Sequence, residues 1–108
     1  MYIDKLNINL IKDYVNTRKI DWTKHCLNRL SQRNISILDV KTAINNGKIL
    51  EYYYEDYPYP SCLIVGYSIQ HKILHIVCGI SNDFVHIITA YLPDSNKWEE
   101  VMKTRRKK

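Results

Sequence analysis

Cysteine is scarce in this chain: 108 residues carry only Cys26, Cys62 and Cys78. An odd number with no C-x-x-C pair leaves no basis for a disulfide framework or a structural zinc site. All three have apolar neighbours and read as small buried thiols in a reducing cytoplasm. Long apolar runs are missing too. None approaches the roughly 20 residues that a membrane helix needs, so no membrane partner is expected. The N-terminal MYIDKLNINL holds an acid at Asp4 and no clean apolar stretch, which argues against a signal peptide. Lys and Arg are nearly absent between Ser61 and Pro93, where Lys72 stands alone. Acid is absent from the last six residues, KTRRKK, which hold five of the 16 basic residues. The remaining 11 basic and 11 acidic residues cancel, so the net charge of +5 belongs to this tail. Such a tail suits nucleic acid, with steeply salt-dependent binding, or is a solvated terminus.

The length implies one domain, residues 1–102, followed by the basic tail at 103–108. Its organising stretch is Ser61 to Pro93. Three apolar runs rich in Ile and Val are parted there by Gln70-His71-Lys72 and Ser81-Asn82-Asp83. Runs of this kind predict strands joined by hairpins. In the middle run, alternation sets Ile73, His75, Val77 and Gly79 against Leu74, Ile76, Cys78 and Ile80. In the last, it sets Phe84, His86, Ile88 and Ala90 against Val85, Ile87, Thr89 and Tyr91. Lys48 to Tyr54 predicts a first strand, and Pro58 and Pro60 interrupt pairing after it. Gly66 inside a strand points to a bulge or a close backbone approach.

Upstream, Ile3, Leu6, Leu10 and Tyr14 predict a helix over residues 2–17. Thr23 is a candidate N-cap for a helix from about Lys24 to Arg33. Ser36 with Asp39 forms a capping box for a third, closed by Gly47 in a left-handed turn. A short terminal helix begins near Asn96 and carries Trp98. The expected architecture is α+β: N-terminal helices on one face of a four-stranded antiparallel meander, with a short C-terminal helix.

Several elements together resemble a known group. They are His25, Arg29 and Arg33 as H-x3-R-x3-R, the helix ending at Gly47, Glu51, Pro60-Ser61, Gly66, His75, the run IITAYLPD and Trp98. This set is similar to a family of uncharacterised small bacterial domains grouped with the RelE-like and MqsR-like toxins of toxin–antitoxin systems, over about Ile20 to Arg105. The resemblance implies a RelE-like fold, a metal-independent ribonuclease that cuts messenger RNA, and a partner antitoxin, often a zinc-finger protein and otherwise of helix-turn-helix type.

The residues carry their own chemical reading. RNA cleavage without a metal cofactor needs a base for the 2′-OH proton, an acid for the leaving oxygen and cations for the phosphate. Histidine suits proton transfer near neutrality, and the arginine fork matches phosphate oxygens. His25 and His75 are the candidate acid and base, with Tyr91 and Thr89 assisting by hydrogen bonds. Arg29 and Arg33, with Arg105 and Arg106 of the tail, are the candidate phosphate ligands. The same residues also fit a non-catalytic nucleic-acid- or protein-binding module. His25 would then cap its helix, His75 would be a satisfied core histidine, and Arg29 and Arg33 would pair with Glu51, Glu55 or Asp56. His71, His75 and His86 lack metal-ligand spacing, and no metal or other cofactor is expected. Tyr52, Tyr53, Tyr54, Tyr57, Tyr59 and Tyr67 are either a stacking platform for bases or an edge that keeps its hydroxyls wet.

Overall fold

The computed structural model describes residues 6–93. It has three helices and a five-stranded mixed sheet. The helices are α1 (Ile8–Asn16), α2 (Lys24–Gln32) and α3 (Ile37–Asn45). The strands are β1 (Ile20–Trp22), β2 (Lys48–Tyr53), β3 (Ser61–Tyr67), β4 (Ile73–Ile80) and β5 (Val85–Tyr91). Their order across the sheet is β1-β5-β4-β3-β2. The antiparallel meander of β2 to β5 is present, but a four-stranded, wholly antiparallel sheet is not. β1 adds a fifth strand, parallel to β5, through Ile20↔Val85, Asp21↔His86 and Trp22↔Ile87. Three residues are too few to show a period, and the edge of β5 is what makes them a strand.

The helix boundaries follow local chemistry. Asn7 accepts from the backbone of Asn9 and Leu10, so α1 starts at Ile8 rather than near residue 2. Thr23 caps α2 through Cys26 N–H at 3.0 Å, and Ser36 and Asp39 form the expected reciprocal capping box of α3. Gly47 does not take the left-handed turn: no glycine here has positive φ, and Asn46 is the cap. Its reason is space, since a Cβ would lie 2.5 Å from the carbonyl oxygen of Ala43. Gly66 is the stronger case of the same kind. A Cβ there would lie 1.9 Å from that oxygen, so α3 rests directly on the β3 backbone, the close approach expected. The expected terminal helix with Trp98 lies outside the described residues.

All three helices cover one sheet face. Cys62, Ile64, Leu74, Ile76, Cys78, Ile80, Val85, Ile87 and Ala90 meet Ile11, Val15, Cys26, Leu30, Val40 and Ile44 in one core. The alternation expected in β4 holds, because Ile76 pairs with Ile64 and Ala90, and Cys78 with Cys62 and Ile87. That expected in β5 breaks halfway. Val77 pairs with Thr89 while Cys78 pairs with Ile87, so Ile88 is an extra residue in a β-bulge. Beyond it every side chain changes side. Ala90 turns into the core, and Thr89 and Tyr91 join His86 on the second face.

Candidate active site

The bulge assembles the site. On the second face, Asp21, His86 and Gly79 form one cross-strand row. Thr89, Val77, Leu63 and Glu51 form the next, and Tyr91, His75, Val65 and Lys48 the third. Same-face rows are about 7 Å apart, two residues of rise, so side chains from adjacent rows can converge on one ligand group.

The first row holds a positioned imidazole. His86 Nδ1 lies 2.9 Å from Asp21 Oδ2, and Nε2 lies 3.0 Å from the hydroxyl of Ser81. A carboxylate only accepts, so Nδ1 carries hydrogen and Nε2 is the nitrogen that can take or give a proton. Tyr59 stacks on the ring with centroids 4.5 Å apart and planes 2° from parallel. The imidazole is thus held at both nitrogens and on one face, and it is partly open to solvent.

Arg33, the C-cap of α2, reaches the sheet where β1 has ended. Its Nη1 donates to Thr89 Oγ1 at 3.1 Å and to the Ala90 carbonyl at 2.9 Å. Both acceptors are neutral, and among the described residues Arg33 has no carboxylate within ion-pair distance. Among the described residues the guanidinium is therefore oriented without a carboxylate partner, the arrangement an anion clamp uses. Tyr91 is half-buried beside it. Burial, and then the charge of Glu51, push its phenol above the ordinary value, while Arg33 pulls it down. It stays a hydroxyl donor across the neutral range. Glu51 accepts from the Tyr53 hydroxyl across a single strand turn of side chains on β2.

The structure separates the other sequence candidates. His75 stands beside Tyr91, ring centroids 5.5 Å apart, but has 0% exposure. Its expected place on a shallow polar surface is not found: it is sealed, as are Leu63 and Val65 on the same face of the neighbouring strand. Burial lowers its pKa to about 4, partly opposed by Glu51, so it is neutral at pH 7. His25 and Arg29 are exposed on α2. His25 begins that helix, about 12 Å of axial rise from Arg33, so His25 and His75 do not share a groove. Arg105 and Arg106 lie outside the described residues. Thus Arg33, Thr89, Tyr91 and His75 come together, whereas His25 and Arg29 stand apart.

The reading from sequence missed His86 with Asp21 as its partner, and treated Glu51 only as an ion-pair candidate. An I-D-W triplet ahead of a helix carries no signal that Asp21 will pair beside His86, 65 residues on. Among the described residues no group of three or more His, Cys, Asp or Glu side chains is arranged to hold a metal. No described helix is long and apolar enough to cross a membrane.

No curated protein and no solved structure matches this chain. One family model does, over residues 22–92, which takes in Arg33, Glu51, Tyr59, His86, Thr89 and Tyr91 and begins one residue after Asp21. That match covers well over half of the chain and makes no link to toxins, so the protein is a member of the DUF4258 family, a domain of unknown function.

Proposed function

We propose that the protein is a metal-independent endoribonuclease that cuts single-stranded RNA. In this reading it is a RelE-like toxin of a toxin–antitoxin system that works in the cytoplasm and is silenced by a zinc-finger or helix-turn-helix antitoxin. One observation carries the chemistry: the Asp21–His86 dyad and the Arg33–Thr89 clamp occupy adjacent rows of one sheet face. His86 Nε2, exchanging its Ser81 contact for the 2′-hydroxyl, would take that proton, and Asp21 would stabilise the imidazolium so formed. The 2′-oxygen attacks the adjacent phosphorus, and the bond to the 5′-oxygen breaks. The products are a 2′,3′-cyclic phosphate and a 5′-hydroxyl, the leaving oxygen taking its proton from solvent or from the His86 imidazolium. Arg33, with the hydroxyls of Thr89 and Tyr91, would hold the phosphate oxygens as charge builds on them.

The test is cleavage of a synthetic single-stranded RNA by purified protein in EDTA. His86→Ala should slow it by about 10²–10⁴, the usual worth of a positioned proton-transfer group. Arg33→Ala should weaken both binding and cleavage, and Arg33→Lys should restore binding only in part, because an ammonium lacks the planar fork. Full activity in His86→Ala would remove the proposed mechanism.

A second reading, an RNA-holding module that does not cut, draws on the sealed position of His75. It leaves His86 as the accessible imidazole of this face. A salt-sensitive gel shift without cleavage products would decide for it. Growth arrest on induced expression would decide for the toxin.

A further inference from the structure

Beside His86 the same face opens into a cleft of about 280 Å³. Asp21, Asp56, Tyr57, Pro58, Tyr59 and Ile88 are among its walls. Two features set its chemistry. The first is aromatic: Tyr57 is 94% exposed at the rim, and Tyr59 lies flat against His86. A wet tyrosine next to a cleft is a ready surface for stacking an unpaired base. The second is Asp56, an exposed carboxylate from the loop between β2 and β3. Its Oδ2 accepts from the buried Ser61 hydroxyl, which fixes its orientation. Its other oxygen takes no hydrogen bond from a described residue and remains available to a ligand.

We propose that this cleft is a base-recognition pocket for guanine on the 5′ side of the scissile phosphate. This rests on the ribonuclease reading for the word scissile, but not for the pocket itself. A carboxylate can only accept hydrogen bonds. Guanine presents two donors side by side, N1–H and the exocyclic amine, which match the available oxygen and the second lone pair that Asp56 Oδ2 keeps beside Ser61. Uracil presents one N–H between two carbonyl oxygens that would face the carboxylate. Adenine and cytosine each offer one amine beside an acceptor nitrogen. Asp56 therefore favours guanine over the other three bases. The position is right for cleavage after that base. Asp21 belongs both to the cleft and to the His86 dyad, so a nucleoside seated there lies beside the imidazole. Gly79, the cross-strand neighbour of His86, also lies on the cleft wall.

The experiment measures binding of the four nucleoside 3′-monophosphates to the full chain by titration calorimetry, alongside mapping of RNA cleavage products. The expected result is tighter binding of 3′-GMP than of 3′-UMP by about tenfold or more, within the range of one bidentate contact. Asp56→Asn should erase that preference while leaving the circular dichroism unchanged. Tyr59→Ala should weaken all four ligands together. Equal binding of the four nucleotides, or an Asp56→Asn protein that keeps the guanine preference, would overturn the pocket assignment. A preference for 3′-GMP without any RNA cleavage would sustain the pocket and overturn the ribonuclease reading. Cleavage at all bases alike would do the reverse.

Discussion

Two glycines on neighbouring strands should respond to the same substitution in opposite ways. At Gly66 an added methyl would sit 1.9 Å from the Ala43 carbonyl oxygen and 2.7 Å from its carbon. Ordinary contact begins near 3.4 Å, so α3 must withdraw from β3 by about 1.5 Å. The obstacle is backbone, which no rotamer change can move. That retreat also loosens Val40, Ala43 and Ile44, all fully buried. Overpacking of this kind costs typically 1–3 kcal/mol. The reduced freedom of the unfolded chain returns about 0.4–1 kcal/mol. Gly66→Ala should therefore destabilise by about 1–2 kcal/mol net, a fall of roughly 5–15 °C in Tm for a domain of this size. At Gly79 the nearest atoms to an added Cβ are 3.6 Å away, so Gly79→Ala should be neutral or slightly stabilising. Thermal and urea unfolding of the two variants against the parent checks both. Equal midpoints for the two would refute the claim that α3 rests on bare β3 backbone.

Other outcomes follow from burial. The folded pKa of His75, about 4, lies below its ordinary 6.5, so the unfolded chain binds that proton more readily between the two values. The stability it contributes is complete above about pH 6.5 and is lost as pH falls toward 4, by up to about 3 kcal/mol. Denaturation midpoints measured across this window should fall steeply in the parent, and less so in His75→Leu; parallel slopes would count against a neutral buried imidazole. The thiols make a second case. Cys26, Cys62 and Cys78 have 0% exposure, and burial raises Cys26 while the Cys62 contact, followed by burial, raises Cys78. A thiol reagent should label none of them in the native protein and all three in denaturant. Rapid native labelling would show that the core opens.

Much of this fold could be read from residue pattern alone. The helix caps at Thr23 and Ser36, the two-faced β4 and the close approach at Gly66 each leave a local mark, since each depends on residues within a few positions. What could not be read depends on partners far along the chain. β1 is three residues whose strand identity comes from β5. Whether an imidazole in an alternating strand is wet or sealed depends on what lies over it, so His75 and His86 looked alike. The bulge at Ile88 has no glycine or proline to announce it, and a strict two-residue period therefore put Thr89 and Tyr91 on the wrong side of the sheet. Arg33 was legible as a cation on a helix flank; its hold on Thr89 depends on the bulge, which was not.

That supernumerary isoleucine has a consequence for how the domain can vary. With it, one ribbon serves two clients, feeding the interior with its odd members before the kink and with an even one after. Excising the single codon for Ile88 would remove the kink and leave every other partner in place, with Ile87 and Ala90 still inward and the hydroxyl and the phenol still outward. A shortened chain of this sort should keep both its anion grip and its interior fit, so the strand can lose this residue at less cost than it can lose Thr89 or Ala90.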